Sequence, residues 1–192
     1  MTVTLTPPVS SPSTRAMLIE ELARTEKKAE IIKGKVVPMS PAGAAHSQVS
    51  TKIVISLGKY KEQFGGGYVC GDNAGFLIEL PDRFSFCPDA AWHTGKFPTN
   101  DMDFFEGAPV FAVEVRSKND RGPAAERLIL KKIEDYFTAG TQVVWGVDLH
   151  SEDVVKKYTP ETLDNPHVFK RGEIADAEPA VPGWRMAVND LF

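Results

Sequence analysis

"PVFAVEVRSKNDRGPAAERLILKKIEDYFTAGTQVVWGVD", running from Pro109 to Asp148, decides the topology of the chain. "VFAVEVR" is rich in β-branched and aromatic residues and reads as a strand. Pro123 opens a helix and Gly140 closes it, as their separate preferences for the first turn and for the residue past the last turn require. "QVVWGVD" is a second strand, apolar on both faces, which points to a central position covered on both sides. A strand, helix and strand in this order form a crossover that is parallel and right-handed in nearly all proteins.

Two charges break the apolar pattern of that unit. Alternation along the first strand puts Val110, Ala112, Glu114 and Arg116 on one face and Phe111, Val113, Val115 and Ser117 on the other. Glu114 therefore lies among small residues on a covered sheet, where an isolated carboxylate would cost several kcal/mol unless protonated, paired or bound to a cation. On the helix, Ala125, Ile129, Ile133 and Tyr136 share one apolar arc, and Lys132 falls inside it between Leu128 and Tyr136. Lys131 points the other way, beside Arg127, Glu134 and Asp135. Glu114 lies about 10 Å back from the end of its strand. Lys132 lies about 13 Å along a helix that returns antiparallel, so acid and base come out nearly level. A structural ion pair is the plain reading of that geometry. Glu126, also near the arc, sits in the first turn, where an acid suits the helix dipole.

A third charge stands out in "FSFCPDAAW". Pro88 removes a backbone donor, which fits a strand end or edge, and Asp89 follows it within an apolar run. Pro-Asp by itself more often marks a turn than a site. Followed by a buried Glu on the next strand it gains force, since two carboxylates converging on one hard cation are how proteins hold Mg²⁺.

Around this centre the pattern predicts a loose arm over residues 1–13 and one domain over residues 14–192, beginning with a helix capped at Ser13 or Thr14 and ending near Arg24. "EIIKGKVVPM" predicts a hairpin turning at Lys33-Gly34. Val49, Ile53, Leu57, Tyr60 and Phe64 give the next segment the spacing of a helix with one buried face, stopped by three glycines. Strands are expected at about Tyr68 to Cys70, Gly75 to Leu80 and Phe84 to Trp92, then a polar loop, and after the crossover short strands near Val154 to Tyr158 and Val168 to Phe169. Trp92, Trp145 and Trp184 are read as core aromatics.

A chain of 192 residues with 42% hydrophobic and 25% charged residues supports one substantial core. The formal net charge of -4 provides no overall basic field, so affinity for nucleic acid must come from a local patch or from bound cations. Two cysteines, Cys70 and Cys87, without metal-type spacing suit a reducing compartment. No apolar run has the length of a membrane helix, and a soluble, cytoplasmic protein is expected.

"CPDAAW", "FAVEVRS", "AEIIKGKVVPMSPAGAAHS", "KIEDYFTAGTQVVWGVD" and "VPGWRMAVNDLF" together resemble the PD-(D/E)xK nuclease superfamily, in particular a large bacterial family related to restriction endonucleases. The resemblance spans nearly the whole chain in the expected order. It implies an α/β (α+β) restriction-endonuclease-like core, a central mixed sheet flanked by helices. It implies Mg²⁺ or Mn²⁺ at Asp89 and Glu114, with Lys132 as the catalytic lysine moved from strand to helix. It matches Glu30 to a further acidic position and His46 to a polar position before the long helix. The implied activity is endonucleolytic hydrolysis of nucleic acid, DNA before RNA, and a homodimer is compatible with it.

Plain readings stand beside these assignments. Glu30 fits a solvated strand end, and His46 shares the face of Val49 and Ile53, as a hydrogen-bonded core histidine would. Arg116 stands where the superfamily's lysine would be; it is no base at neutral pH, but it can stabilise phosphate charge. Gln142 stands where an acid is common. A nuclease fold that binds or regulates without cutting is the alternative, because fold does not fix chemistry.

Overall fold

The strand, helix and strand around Glu114 and Lys132 form the spine onto which the other elements pack. Residues 12–118 and 120–192 are described by the structure, a computed structural model. The arm expected over residues 1–13 therefore lies, up to residue 11, outside the described residues. In chain order the elements are helix α1 (Pro12–Arg24), strands β1 (Ala29–Ile32) and β2 (Lys35–Pro38), and helix α2 (Ala44–Phe64). Strands β3 (Tyr68–Cys70), β4 (Phe76–Leu80), β5 (Arg83–Phe86), β6 (Ala90–His93), β7 (Phe105–Glu106) and β8 (Phe111–Val115) lead to helix α3 (Pro123–Thr138). Strands β9 (Val143–Val147), β10 (Val155–Tyr158), β11 (His167–Phe169), β12 (Ile174–Asp176) and β13 (Arg185–Ala187) follow.

The central sheet has six strands in the order β11-β10-β9-β8-β6-β3. β8 and β9 are parallel, as the crossover demands, and β6, β10 and their outer neighbours are antiparallel. The result is a mixed α+β fold with a mixed central sheet. A second sheet of five strands, β2-β1-β5-β4-β7, stands apart from it. Its β1–β2 hairpin turns at Lys33 and Gly34, with φ of 49° and 70°. Two successive positive φ values match the twist of a two-residue hairpin, and glycine takes the second without steric cost.

The two faces of the central sheet carry separate cores. Phe111, Val113 and Val115 of β8 pack with Val49, Ile53 and Leu57 of α2 and with Trp145 and Trp184. Ala112 of β8 packs with Ile133 and Tyr136 of α3 and with Phe76 and Phe86 of the second sheet. Phe86 stacks on Tyr136 with ring centroids 3.8 Å apart. The alternation read from the sequence therefore directs Glu114, on the Ala112 face, toward α3 and the second sheet.

Several expectations need correction. The strand expected from Phe84 to Trp92 is two strands in different sheets, β5 and β6, because Pro88 has no N–H for a ladder and the chain crosses from sheet to sheet there. The polar loop before β8 contains β7, which pairs in parallel with β4 through Phe76 and Leu77. β12 and β13 form a small hairpin late in the chain, where no strands were expected. On α3 only Ile133 and Tyr136 of the apolar arc are buried, while Leu128 is 72% exposed. The inward phase is right, with full burial in the C-terminal half of the helix and Ala125 and Ile129 only half-buried toward its start.

Truncating Ile133, which is wholly buried, to alanine should lower unfolding free energy by about 2–5 kcal/mol. Leu128→Ala should change it by less than about 0.5 kcal/mol. Urea unfolding of the two variants beside wild type checks the helix phase.

Candidate active site

The site is built where the central sheet ends and the second sheet begins. Ala90, Ala91 and Trp92 of β6 pair with Val113, Ala112 and Phe111 of β8, so one further step of the register sets Asp89 opposite Glu114. The Asp89 N–H donates to the Val113 carbonyl at 3.0 Å. Its carboxylate Oδ2 accepts the Val115 N–H at 2.7 Å. With Pro88 ending the strand, the Asp89 side chain takes the place of the backbone carbonyl that would otherwise continue the ladder. Asp89 is thus fixed by its own backbone beside Glu114.

Glu114 meets the lysine expected from the helix phase. Lys132 Nζ lies 2.8 Å from Glu114 Oε1 and 2.9 Å from Oε2, and 2.9 Å from Glu30 Oε1. The Tyr136 hydroxyl, one turn further along α3, donates to Glu114 Oε1 at 2.7 Å. Glu30 is no solvated strand end, being 1% exposed. It accepts the Cys87 N–H at 3.0 Å and is gripped by Arg83 of β5, whose Nε donates to Asp135 Oδ2 at 3.0 Å.

A second group of charges surrounds Asp89. Lys28, just before β1, donates from Nζ to Asp89 Oδ1 and to Asp72 Oδ1, both at 2.6 Å. His46, at the start of α2, brings Nε2 to 3.0 Å from Asp89 Oδ2. It is not merely a core histidine: it leans on one of the two acids, and its buried Nδ1 has no hydrogen-bond partner among the described residues.

The electrostatics separate the acids. Burial raises Asp89, but the His46 hydrogen bond and the Lys28 charge outweigh it and hold its pKa down at about 2. Burial also pushes Glu30 upward, and Lys132 and Arg83 overcome it, so Glu30 lies below the ordinary range. Glu114 goes the other way. Its burial, together with the charges of Asp89 and Glu30, prevails over Lys132 and raises it. Of the three, Glu114 most readily takes a proton. Lys132 is itself raised, because the charges of Glu114 and Glu30 outweigh its burial.

Arg116 does not join this group. It turns to α3 and pairs with Glu126 through both terminal guanidinium nitrogens, Nη2 to Oε2 at 2.7 Å. Glu126 is therefore an ion-pair partner as well as a first-turn acid. Gln142 is exposed and serves the ladder through its N–H, 2.9 Å from the Val110 carbonyl. Lys131 is 60% exposed and bonds Glu134 and Asp135. Sequence reasoning missed Lys28, Asp72, Arg83 and Tyr136. Lys28 had one visible signal, its place two residues before Glu30 and so on the same side of an extended chain.

Among the described residues, no group of three His, Cys, Asp or Glu is placed to hold a metal ion. Two carboxylates do offer capacity. Asp89 Oδ1 has one donor on it, and Glu114 Oε2 likewise has one. A carboxylate oxygen accepts two, so each keeps a free position. Such a pair fits Mg²⁺, which takes one or two carboxylates and keeps several waters, better than a metal that needs a complete protein cage.

A family model described as "Putative restriction endonuclease", Uma2, matches residues 17–189. Among curated proteins, none matches the chain in sequence. A crystal structure of "a putative nuclease belonging to DUF820" from Anabaena variabilis superposes with a TM-score of 0.71 at 18% identity, covering 91% of this chain and 97% of that one. At that identity the likeness is one of fold, and among the described residues no helix is long and apolar enough to cross a membrane.

A carboxyl depressed from 3.8 to about 2 adds stability that is complete above its unfolded value and is lost as pH falls through the folded one. For Asp89 the full contribution is about 2 kcal/mol. In metal-free buffer, the gap in unfolding free energy between wild type and Asp89→Asn should therefore narrow by about 1 kcal/mol on going from about pH 6 to about pH 3. Urea titrations at the two values measure it.

Proposed function

The chain belongs to the Uma2 family, and from that premise we propose that it is a metal-dependent endonuclease of the PD-(D/E)xK type, hydrolysing phosphodiester bonds of nucleic acid, DNA in the first place. The observation that carries this reading is Asp89 held opposite Glu114 across the end of the β6–β8 ladder, with Lys132 bound to Glu114 from α3. A structural ion pair would account for Glu114 and Lys132 alone. It gives no reason for a second buried acid beside them.

Asp89 and Glu114 would hold Mg²⁺ or Mn²⁺. When bound, such an ion polarises a phosphate oxygen and lowers the pKa of a water. The protein's own part is positioning. The Val115 N–H and His46 fix the Asp89 carboxylate, and Tyr136 and Lys132 fix that of Glu114. Glu30 keeps Lys132 in place and is in turn kept by Arg83 and the Cys87 N–H. Arg116, engaged with Glu126, stands outside the reacting group.

The rival reading is a nuclease fold that binds without cutting. The pairing of each acid with a lysine favours it. A divalent cation separates the two, because an inert module need not bind one.

Cleavage of supercoiled plasmid with Mg²⁺ or Mn²⁺ should be abolished by EDTA, Asp89→Asn and Glu114→Gln, and unaffected by Lys131→Ala. A wild type that cuts equally well in EDTA would sink the metal-dependent reading. Mn²⁺ should also raise the melting temperature of wild type, since a ligand bound only to the native state stabilises it. Equal shifts in wild type and Asp89→Asn would rule out a site at Asp89.

A further inference from the structure

The site contains two lysines, each bridging two acids, and they are not equivalent. Lys132 bridges Glu114 and Glu30; Lys28 bridges Asp89 and Asp72. Their own exposure does not tell them apart, since the side chains are 17% and 19% accessible. Their partners do.

An ammonium has three N–H donors. Lys132 has three carboxylate oxygens within 2.9 Å, Glu114 Oε1, Glu114 Oε2 and Glu30 Oε1; the two on Glu114 share one N–H, so enclosure and not donor count separates the lysines. Glu30 is 1% exposed, so Lys132 is closed in on that side. Lys28 contacts two oxygens, Asp89 Oδ1 and Asp72 Oδ1, and keeps one donor. Its outer partner Asp72 lies in the turn between β3 and β4 and is 42% exposed, which opens that side of the ammonium to water. Lys28 also senses the charge of Glu114 as well as that of Asp89, so it stands in the field of both acids.

We propose that Lys28, and not Lys132, is the ammonium that meets a nucleic-acid phosphate at this site, with Asp72 aiming it. The assignment rests on the nuclease reading above and refines it. Lys132 is then a positioning residue, which sets Glu114 and Glu30 without touching the substrate. Lys28 remains charged, because the acids around it more than offset its burial. Its contribution is a fixed positive charge on the phosphate, with no proton transferred and no bond made.

The test measures binding in EDTA, apart from any cleavage. A short fluorescent oligonucleotide, as duplex and as single strand, is titrated with full-length protein at several salt concentrations and followed by anisotropy. Each phosphate contact neutralised by the protein contributes about 0.9 to the slope of log K against log salt for duplex, and about 0.7 for single strands. Lys28→Met should lower the slope by about that amount on whichever form wild type binds, and weaken binding several-fold at low salt. Lys28→Arg, which keeps the charge, should restore the slope. Lys132→Met should keep the wild-type slope and lose melting temperature. Should Lys28→Met not fold, Lys28→Gln carries the same test, since its amide still donates to Asp89. An unchanged slope in the neutral Lys28 variant, or an equal fall in Lys132→Met, overturns the assignment and leaves the nuclease reading standing. Wild-type protein that binds neither form in EDTA overturns the assignment, and if it also cuts neither form with Mn²⁺ it overturns both.

Discussion

The Lys132 ammonium between Glu30 and Glu114 is the interaction on which the arrangement depends. Glu30 comes from β1 of the second sheet, Glu114 from β8 of the central sheet, and Lys132 from α3. None of the three could be buried alone, because an unpaired charge in the interior costs several kcal/mol even after relaxation. Each is tolerable only when the other two have arrived, so the contact ties two sheets and a helix into one geometry. Arg83, Tyr136 and the Cys87 N–H then fill most of the hydrogen-bonding capacity that remains. Well-packed apolar residues in these places would often be as stable or more so. Stability alone therefore does not account for the cluster, and its value lies in holding Glu114 in one orientation.

Asp89 is fixed by a different device. Pro88 ends one strand and leaves the chain without a donor, and Asp89 resumes the ladder with its N–H on Val113 and its carboxylate on the Val115 N–H. Backbone and side chain of a single residue are both committed to β8. A group attached at two points has little rotational freedom, and sites need that rigidity to keep reacting geometry within a few tenths of an ångström. The irregularity that breaks a strand in two is also what aims the acid.

How much of this could be read from the chain follows from which signals are local. The phase of α3 and the length of β8 are local, and they brought Lys132 level with Glu114, in agreement with the 2.8 Å contact. The hairpin turn at Lys33-Gly34 and the face of α2 carrying Val49, Ile53 and Leu57 are local too. Pro88 pointed to a strand end, but nothing in Phe84 to Trp92 says that its halves belong to different sheets, because sheet membership is set by distant partners. Arg83 falls between two expected strands, and only the second sheet carries it to Glu30 and Asp135. Lys28 and Asp72 break no apolar pattern, and only the approach of β1 to the turn after β3 makes them neighbours. Tyr136 was read as apolar packing, which it is, but its hydroxyl needed a partner, as buried phenols do.

The charges of the whole site bear on how an acidic chain could handle a polyanion. Five carboxylates, Glu30, Asp72, Asp89, Glu114 and Asp135, face three permanent cations, Lys28, Arg83 and Lys132. With His46 neutral the group keeps two negative charges; with His46 protonated it keeps one. Neither state attracts a phosphate, and the net charge of -4 over the chain does not help. A divalent cation between Asp89 and Glu114 would cancel that charge, or exceed it with His46 protonated, and make the site hospitable to a phosphate oxygen. On the nuclease reading the ion then has two duties, admitting the substrate and activating the water. The protein's own charges leave binding weak until the ion arrives. Lys28, with the side toward Asp72 open to water, is the permanent cation of the set best placed to take part in that admission.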